Sequence, residues 1–135
     1  MKLSEKLYLK LMPSDAIILD GQEEKTVYVY DGKPLKNIRE GSEFYLEVTP
    51  EDAVMQSSAT GSVVDTKEHE LAAVTYNGKL VGTLSGYYGF LKFYTRRGRR
   101  VAIKVKCTGM YMRGIPNIVA MMPPYAEMKA LKEAL

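Results

Sequence analysis

The 135-residue chain carries 19 Lys and Arg against 16 Asp and Glu, with one histidine and one cysteine. No apolar run approaches the ~20 residues a bilayer crossing needs, the N-terminal MKLSEKLYLKLMP lacks a continuous apolar stretch and a cleavage site, and a single cysteine excludes an internal disulfide. The expectation is one globular domain over 1–135, cytoplasmic or nuclear, with 46% hydrophobic residues to build a core.

Residues 5–12 (EKLYLKLM) place Leu7, Leu9 and Leu11 at period two, which reads as a half-buried strand, with a short amphipathic helix as the competing reading. Pro13-Ser14-Asp15 breaks the chain before the apolar run 16–19 (AIIL), a strand ending at Asp20-Gly21. TVYVY at 26–30 is β-branched and aromatic, and Asp31-Gly32 after it signals a turn. Pro34 and Gly41 bracket a loop before the strand EFYLEVT at 43–49. Thr49-Pro50-Glu51-Asp52 has the order of a cap, a first-turn proline and two first-turn acids, which predicts a short helix or turn through Gln56, then a loop over 57–61.

Residues 71–76 and 79–85 flank Asn77-Gly78, a pair suited to a type I′ turn because both central positions require φ > 0. Residues 85–98 read as a helix with Ser85 as N-cap, Gly98 just past the end, and Tyr87, Leu91 and Tyr94 on one face; a strand turning at Arg97-Gly98 is the alternative. In 99–108 (RRVAIKVKCT), Val101, Ile103, Val105 and Cys107 alternate inward against Ala102, Lys104 and Lys106. NIVAMM at 117–122 is a last buried strand stopped by Pro123-Pro124, and 125–135 a terminal helix with Met128, Leu131 and Leu135 on one face. Strands dominate, so the fold class is mainly β: a small, partly open barrel with one or two short helices and the C-terminal helix.

Charge is distributed unevenly. Residues 71–126 contain no acid and nine bases, whereas 1–70 hold 14 acids and 8 bases, so a segment of +9 follows one of −6. Tyr87, Tyr88, Phe90, Phe93, Tyr94 and Tyr111 interleave with the cations. Phosphates attract charge and unstacked bases attract ring faces, so the pattern suits nucleic acid. The candidate contacts are Arg96, Arg97, Arg99, Arg100, Lys104 and Lys106 as a phosphate track, with Lys92 and Arg113 extending it and Tyr88 as the ring free to stack.

The block 72–84, AAVTYNGKLVGTL, resembles the signature of HIRAN domains, in which an Ala-aliphatic strand, a turn and a Gly-containing strand precede a helix. The matching residues are Ala72, Ala73, Val74, Asn77, Gly78, Val81, Gly82 and Leu84. The resemblance implies a small OB-like barrel and binding of single-stranded DNA, some members of that family binding its 3′ end. Where the family carries an Asn-Pro-Tyr-Asp-like loop, this chain has Thr66-Lys67-Glu68-His69-Glu70, so no pocket residues carry over.

Catalysis finds little support. His69 lies among acids with no partner at zinc-ligand spacing, and Cys107 alternates with core positions. No nucleophile elbow, P-loop or dinucleotide fingerprint is present. The expectation is a non-catalytic domain that binds nucleic acid, single-stranded DNA ahead of RNA, with no metal and no cofactor. The rival reading is a protein-interaction module whose basic segment meets an acidic partner or a second copy of the chain, neither involving a membrane.

Overall fold

The computed structural model describes residues 5–111 and 114–135. In chain order its elements are α1 (Glu5–Leu11), β1 (Ile17–Leu19), β2 (Glu23–Val29), a 3-10 turn (Lys33–Leu35), β3 (Glu43–Val48), β4 (Val54–Gln56), β5 (Val63–Asp65), β6 (Ala72–Tyr76), β7 (Lys79–Leu84), α2 (Tyr88–Arg96), β8 (Val101–Met110), β9 (Pro116–Met122) and α3 (Tyr125–Ala134).

The protein is mainly β. Strands β8, β3, β6, β7, β2 and β9 are neighbours in that order, and β9 pairs back onto β8, closing a six-stranded antiparallel barrel. The partly open barrel expected from sequence is therefore corrected to a closed one. Closure depends on the length of β8: one edge takes β1 in parallel at Ile17↔Val101 through Leu19↔Ile103, then β9 from Val105↔Ala120 onward. A bulge between Cys107 and Gly109 interrupts the β8–β9 register, and such a bulge sharpens the bend a small barrel needs.

The inward side of β8 is the alternating set Val101, Ile103, Val105 and Cys107, all buried with Leu19, Leu46, Leu84, Ile118 and Met122. Each such aliphatic side chain removed from water contributes about 1.5–3 kcal/mol. Leu91 and Tyr94 bring α2 into the same core, and the buried Tyr94 hydroxyl donates to the Met128 carbonyl oxygen of α3 at 3.0 Å.

Between β6 and β7, Asn77 and Gly78 both take positive φ, 51° and 79°, as the type I′ turn requires. Further on, Gly82 passes the β2 backbone so closely that an added Cβ would lie 2.1 Å from the Tyr28 carbonyl oxygen. Helix α2 ends in a Schellman motif: Gly98 at φ 73° donates to the Thr95 carbonyl and Arg99 to the Tyr94 carbonyl. Its start departs from expectation. Ser85 is not the cap; Tyr87 holds that position in a left-handed conformation with no side-chain cap bond.

Two further expectations are corrected. Residues 5–11 form a helix, not a strand, and Leu7, Leu9 and Leu11 stay exposed. The helical period instead brings Glu5 and Tyr8, three residues apart, onto one face, and Tyr8 stacks on Tyr45. Residues 54–56, expected to continue a short helix or turn, form β4 instead, which pairs with β5, a strand that the sequence does not announce. Met55 and Val64 of this ribbon bury Ala73 on the outer side of β6 in a second, small apolar cluster. Such a pairing outcompetes a one-turn helix, which gains too few internal hydrogen bonds to offset its nucleation cost.

Candidate nucleic-acid interface

The basic segment and the acidic segment meet in three dimensions. The outer faces of β3 and β8 pair Glu43 with Lys106, Tyr45 with Lys104, and Glu47 with Ala102. Above this strip lies α1. Lys104 Nζ stands 3.1 Å from Glu5, 3.8 Å from Asp20 and 3.6 Å from Glu43. Its hydrogen bond to Glu5, helped by the nearby Asp20 charge, raises its pKa against the opposing effect of burial. The Tyr45 hydroxyl donates to the same Glu5 carboxylate at 3.2 Å, and burial, then the Glu5 charge, pushes its pKa up.

The arginines divide in the same way. Arg100 is ion-paired with Glu47. Arg99 donates to the Asp15 carbonyl oxygen at 2.9 Å, with the Asp15 carboxylate at 3.9 Å. A cleft of about 310 Å3 beside them includes Glu47 itself, which would face any incoming phosphate. Lys92 is buried, donating to the Pro50 carbonyl at 3.2 Å and paired with Asp52 at 3.2 Å, so it supports the fold from inside. Tyr88 is half-buried, with Lys92 Nζ 6.0 Å from its ring centroid.

Three of the proposed contact residues in the described chain, Arg96, Arg97 and Lys106, form no ion pair among the described residues. Arg96 and Arg97 sit at the C-terminal end of α2, whereas Lys106 lies in the middle of β8, the strand that follows. Arg113 lies outside the described residues. The continuous phosphate track expected from sequence is thus interrupted by carboxylates at Arg99, Arg100 and Lys104. Cys107 is fully buried, its thiol 3.2 Å from the Gly109 carbonyl oxygen, and His69 is exposed in a loop.

A concave surface lies elsewhere, on the outer face of β2 and β9. It is a groove of about 720 Å3, within the range of ligand sites, lined by Tyr28, Tyr30 and Tyr111 together with Thr26, Thr108 and Asn117. Tyr28 and Tyr111 are 55% and 66% exposed. The outward positions of β2 deliver Thr26 and Tyr28, while Tyr111 follows the end of β8, where its N–H donates to the Ile115 carbonyl at 2.7 Å. The 57–62 loop makes the opposite wall. Ser58 ties it to β2 by donating from both N–H and hydroxyl to the Tyr30 carbonyl, at 2.9 and 3.1 Å. Ser57 Oγ accepts from the N–H groups of Ala59 and Thr60, which holds the loop in shape.

Among the described residues the groove lining holds no charged side chain, and the Thr26, Thr108 and Asn117 side chains make no hydrogen bond. Lys106 borders it, lying opposite Val119, a lining residue; its other cross-strand neighbour, Glu43, turns to Lys104. From the sequence, Tyr111 and Lys106 stand out, whereas Tyr28 and Tyr30 read only as strand residues. The alternation of TVYVY already carried the signal, since it sends Val27 inward and Tyr28 outward. No protein-family model, curated protein or solved structure matches the chain.

Proposed function

We propose that this domain is a non-catalytic binder of single-stranded nucleic acid, DNA ahead of RNA, that takes unstacked bases into the tyrosine groove. The groove itself carries the reading: exposed rings at Tyr28 and Tyr111 line it together with the hydroxyl and amide groups of Thr26, Thr108 and Asn117, which make no side-chain hydrogen bond among the described residues. Ring faces hold bases by stacking, and uncommitted donors and acceptors meet base edges. Lys106 on the rim, which forms no ion pair among the described residues, offers its charge to one phosphate. The HIRAN resemblance at 72–84 supports the same reading independently, and the groove adds a surface that does not depend on the missing Asn-Pro-Tyr-Asp-like loop.

Affinity then comes more from stacking than from charge. Anisotropy of labelled single-stranded oligonucleotides across a salt series tests this, with duplex and 3′-blocked competitors. Tyr28→Ala and Tyr111→Ala should each weaken binding by about 5- to 150-fold, the equivalent of ~1–3 kcal/mol per stacked base. The logarithmic salt slope should be shallow, about −1 to −2, because few phosphates are neutralised. Absence of binding at low salt, or binding untouched by both tyrosine variants, rejects the groove.

A further inference from the structure

A second aromatic surface differs from the groove in carrying charged side chains in its lining. Helices α2 and α3 pack side by side, locked by the Tyr94–Met128 hydrogen bond. Between them is a shallow concavity of about 300 Å3, lined by Phe90, Phe93, Tyr125, Lys129, Lys132 and Glu133. The Arg97 guanidinium lies 3.5 Å from the Phe93 ring centroid, and Lys132 Nζ lies 4.9 Å from the same centroid. Phe90 meets Tyr125 edge-on at 4.9 Å, with Lys132 Nζ 5.9 Å from its centroid. Tyr125 is 66% exposed.

The rim of this concavity is cationic and unpaired. Among the described residues Arg96, Arg97, Lys129 and Lys132 have no ion pair, whereas Lys92, Arg99, Arg100 and Lys104 each have one. Among the described lining residues Glu133 is the only one with a carboxylate. An arginine held flat on a ring has lost its side-chain freedom and directs its N–H edge outward, the arrangement that receives a carboxylate fork at little entropic cost.

We infer that the α2–α3 face docks an acidic segment of a partner protein, with carboxylates on Arg97, Lys129 and Lys132 and one aromatic or large aliphatic side chain seated against Phe90 and Tyr125. Nucleic acid fits this face less well. Phe93 already has two cations over it, and Tyr125 is the one largely exposed ring among the described lining residues, so no row of open ring faces is offered. The concavity has room for a single bulky side chain, while a stacking platform for successive bases needs a row of open rings. A short acidic stretch around one apolar anchor uses both features, as peptide-in-groove recognition generally does.

A random 12-residue peptide display library, selected on the immobilised full chain, is the test. The counter-target is Arg97→Glu/Lys132→Glu, with its fold checked by circular dichroism; Lys129→Ala/Lys132→Ala replaces it if charge reversal disturbs the helices. The expected result is enrichment of peptides with several Asp or Glu around one Phe, Tyr, Trp or Leu. Synthetic versions should lose at least tenfold in affinity on the counter-target and on replacing the apolar residue by Ser, and bind Tyr28→Ala unchanged. No enrichment, or equal affinity for the counter-target, overturns the inference. So does an oligo(dT) probe that perturbs the NMR signals of Lys129 and Lys132 ahead of those at the groove, since the face would then belong to nucleic acid. The Tyr28→Ala arm keeps this outcome separate from failure of the groove.

Discussion

Tyr8 lies flat against Tyr45, their ring centroids 5.4 Å apart and their planes 9° from parallel. Tyr45 points outward from the barrel, yet is only 7% exposed. Helix α1 therefore occupies the outer strip of β3 and β8 that composition marks as the basic face. An aromatic pair of this kind contributes about 0.5–1.5 kcal/mol beyond the area it buries. Tyr8→Ala should lower unfolding free energy by about 1–2 kcal/mol in urea titrations. It should also raise the accessibility of Tyr45 to acrylamide quenching, while leaving the barrel's far-UV spectrum in place. Unchanged stability would mean that α1 rests on the barrel without contributing to it.

Lys104 sits under the same helix with three carboxylates around it. Lys104→Ala leaves Glu5, Asp20 and Glu43 to repel one another and should cost about 1–2 kcal/mol. Oligonucleotide affinity should stay within twofold, because the amine is committed to its own chain. A large loss of affinity with little loss of stability would return Lys104 to the binding surface.

The pH dependence follows from the same cluster. Lys104 has its pKa raised above 10.5 by Glu5, and Tyr8 and Tyr45 are raised above 10.0, chiefly by burial. A group that holds its proton more tightly when folded adds stability that is whole below its unfolded pKa and is lost as pH rises through the folded value. The contribution of this cluster should therefore be constant between pH 7 and about 9.5 and fall above pH 10. Urea midpoints measured alongside tyrosinate absorbance check this, and in Tyr8→Ala the alkaline decline should be shallower.

Much of the barrel can be read locally, because alternation is a property of neighbours. Val101 to Cys107 state their inward set outright, and Asn77-Gly78 states its turn. Helix α1 is misread because Leu7, Leu9 and Leu11 mimic a strand while the anchoring residues are Glu5 and Tyr8. Their partner, Tyr45, is 40 residues from Glu5. Charge neutralisation is more distant still: Arg100 finds Glu47 across 53 residues and Arg99 finds Asp15 across 84. Composition can show that opposite charges exist in two halves of a chain, but only the sheet register brings them together.

Gly82 is the point where groove and barrel constrain each other. A methyl group there would stand 2.1 Å from the Tyr28 carbonyl oxygen, a backbone atom that cannot swing aside. Gly82→Ala must push β7 away from β2, and overpacking of this kind costs about 1–3 kcal/mol. Because the displaced backbone is that of Tyr28, oligonucleotide binding should fall even at temperatures where the variant is fully folded. A variant that melts as the parent does would show that the strands separate without strain.

Lys92 provides the contrast between a cation of the fold and a cation of the surface. Its side chain is 5% exposed, and its amine bridges the Pro50 carbonyl and Asp52, joining α2 to the turn before β4. Removing one partner of a buried pair strands the other; Asp52 is partly solvated, so the cost falls below the 3–5 kcal/mol of a fully buried pair, at about 2 kcal/mol. Lys92→Ala should therefore shift the urea midpoint clearly and leave oligonucleotide affinity of the folded fraction unchanged. Lys92→Met restores the apolar stem and should recover part of the loss, since only the head group is then missing. If Lys92→Ala weakened binding tenfold with no change in stability, the lysine would have to leave its interior site to reach the ligand, and the α2 face would need to open in the bound state.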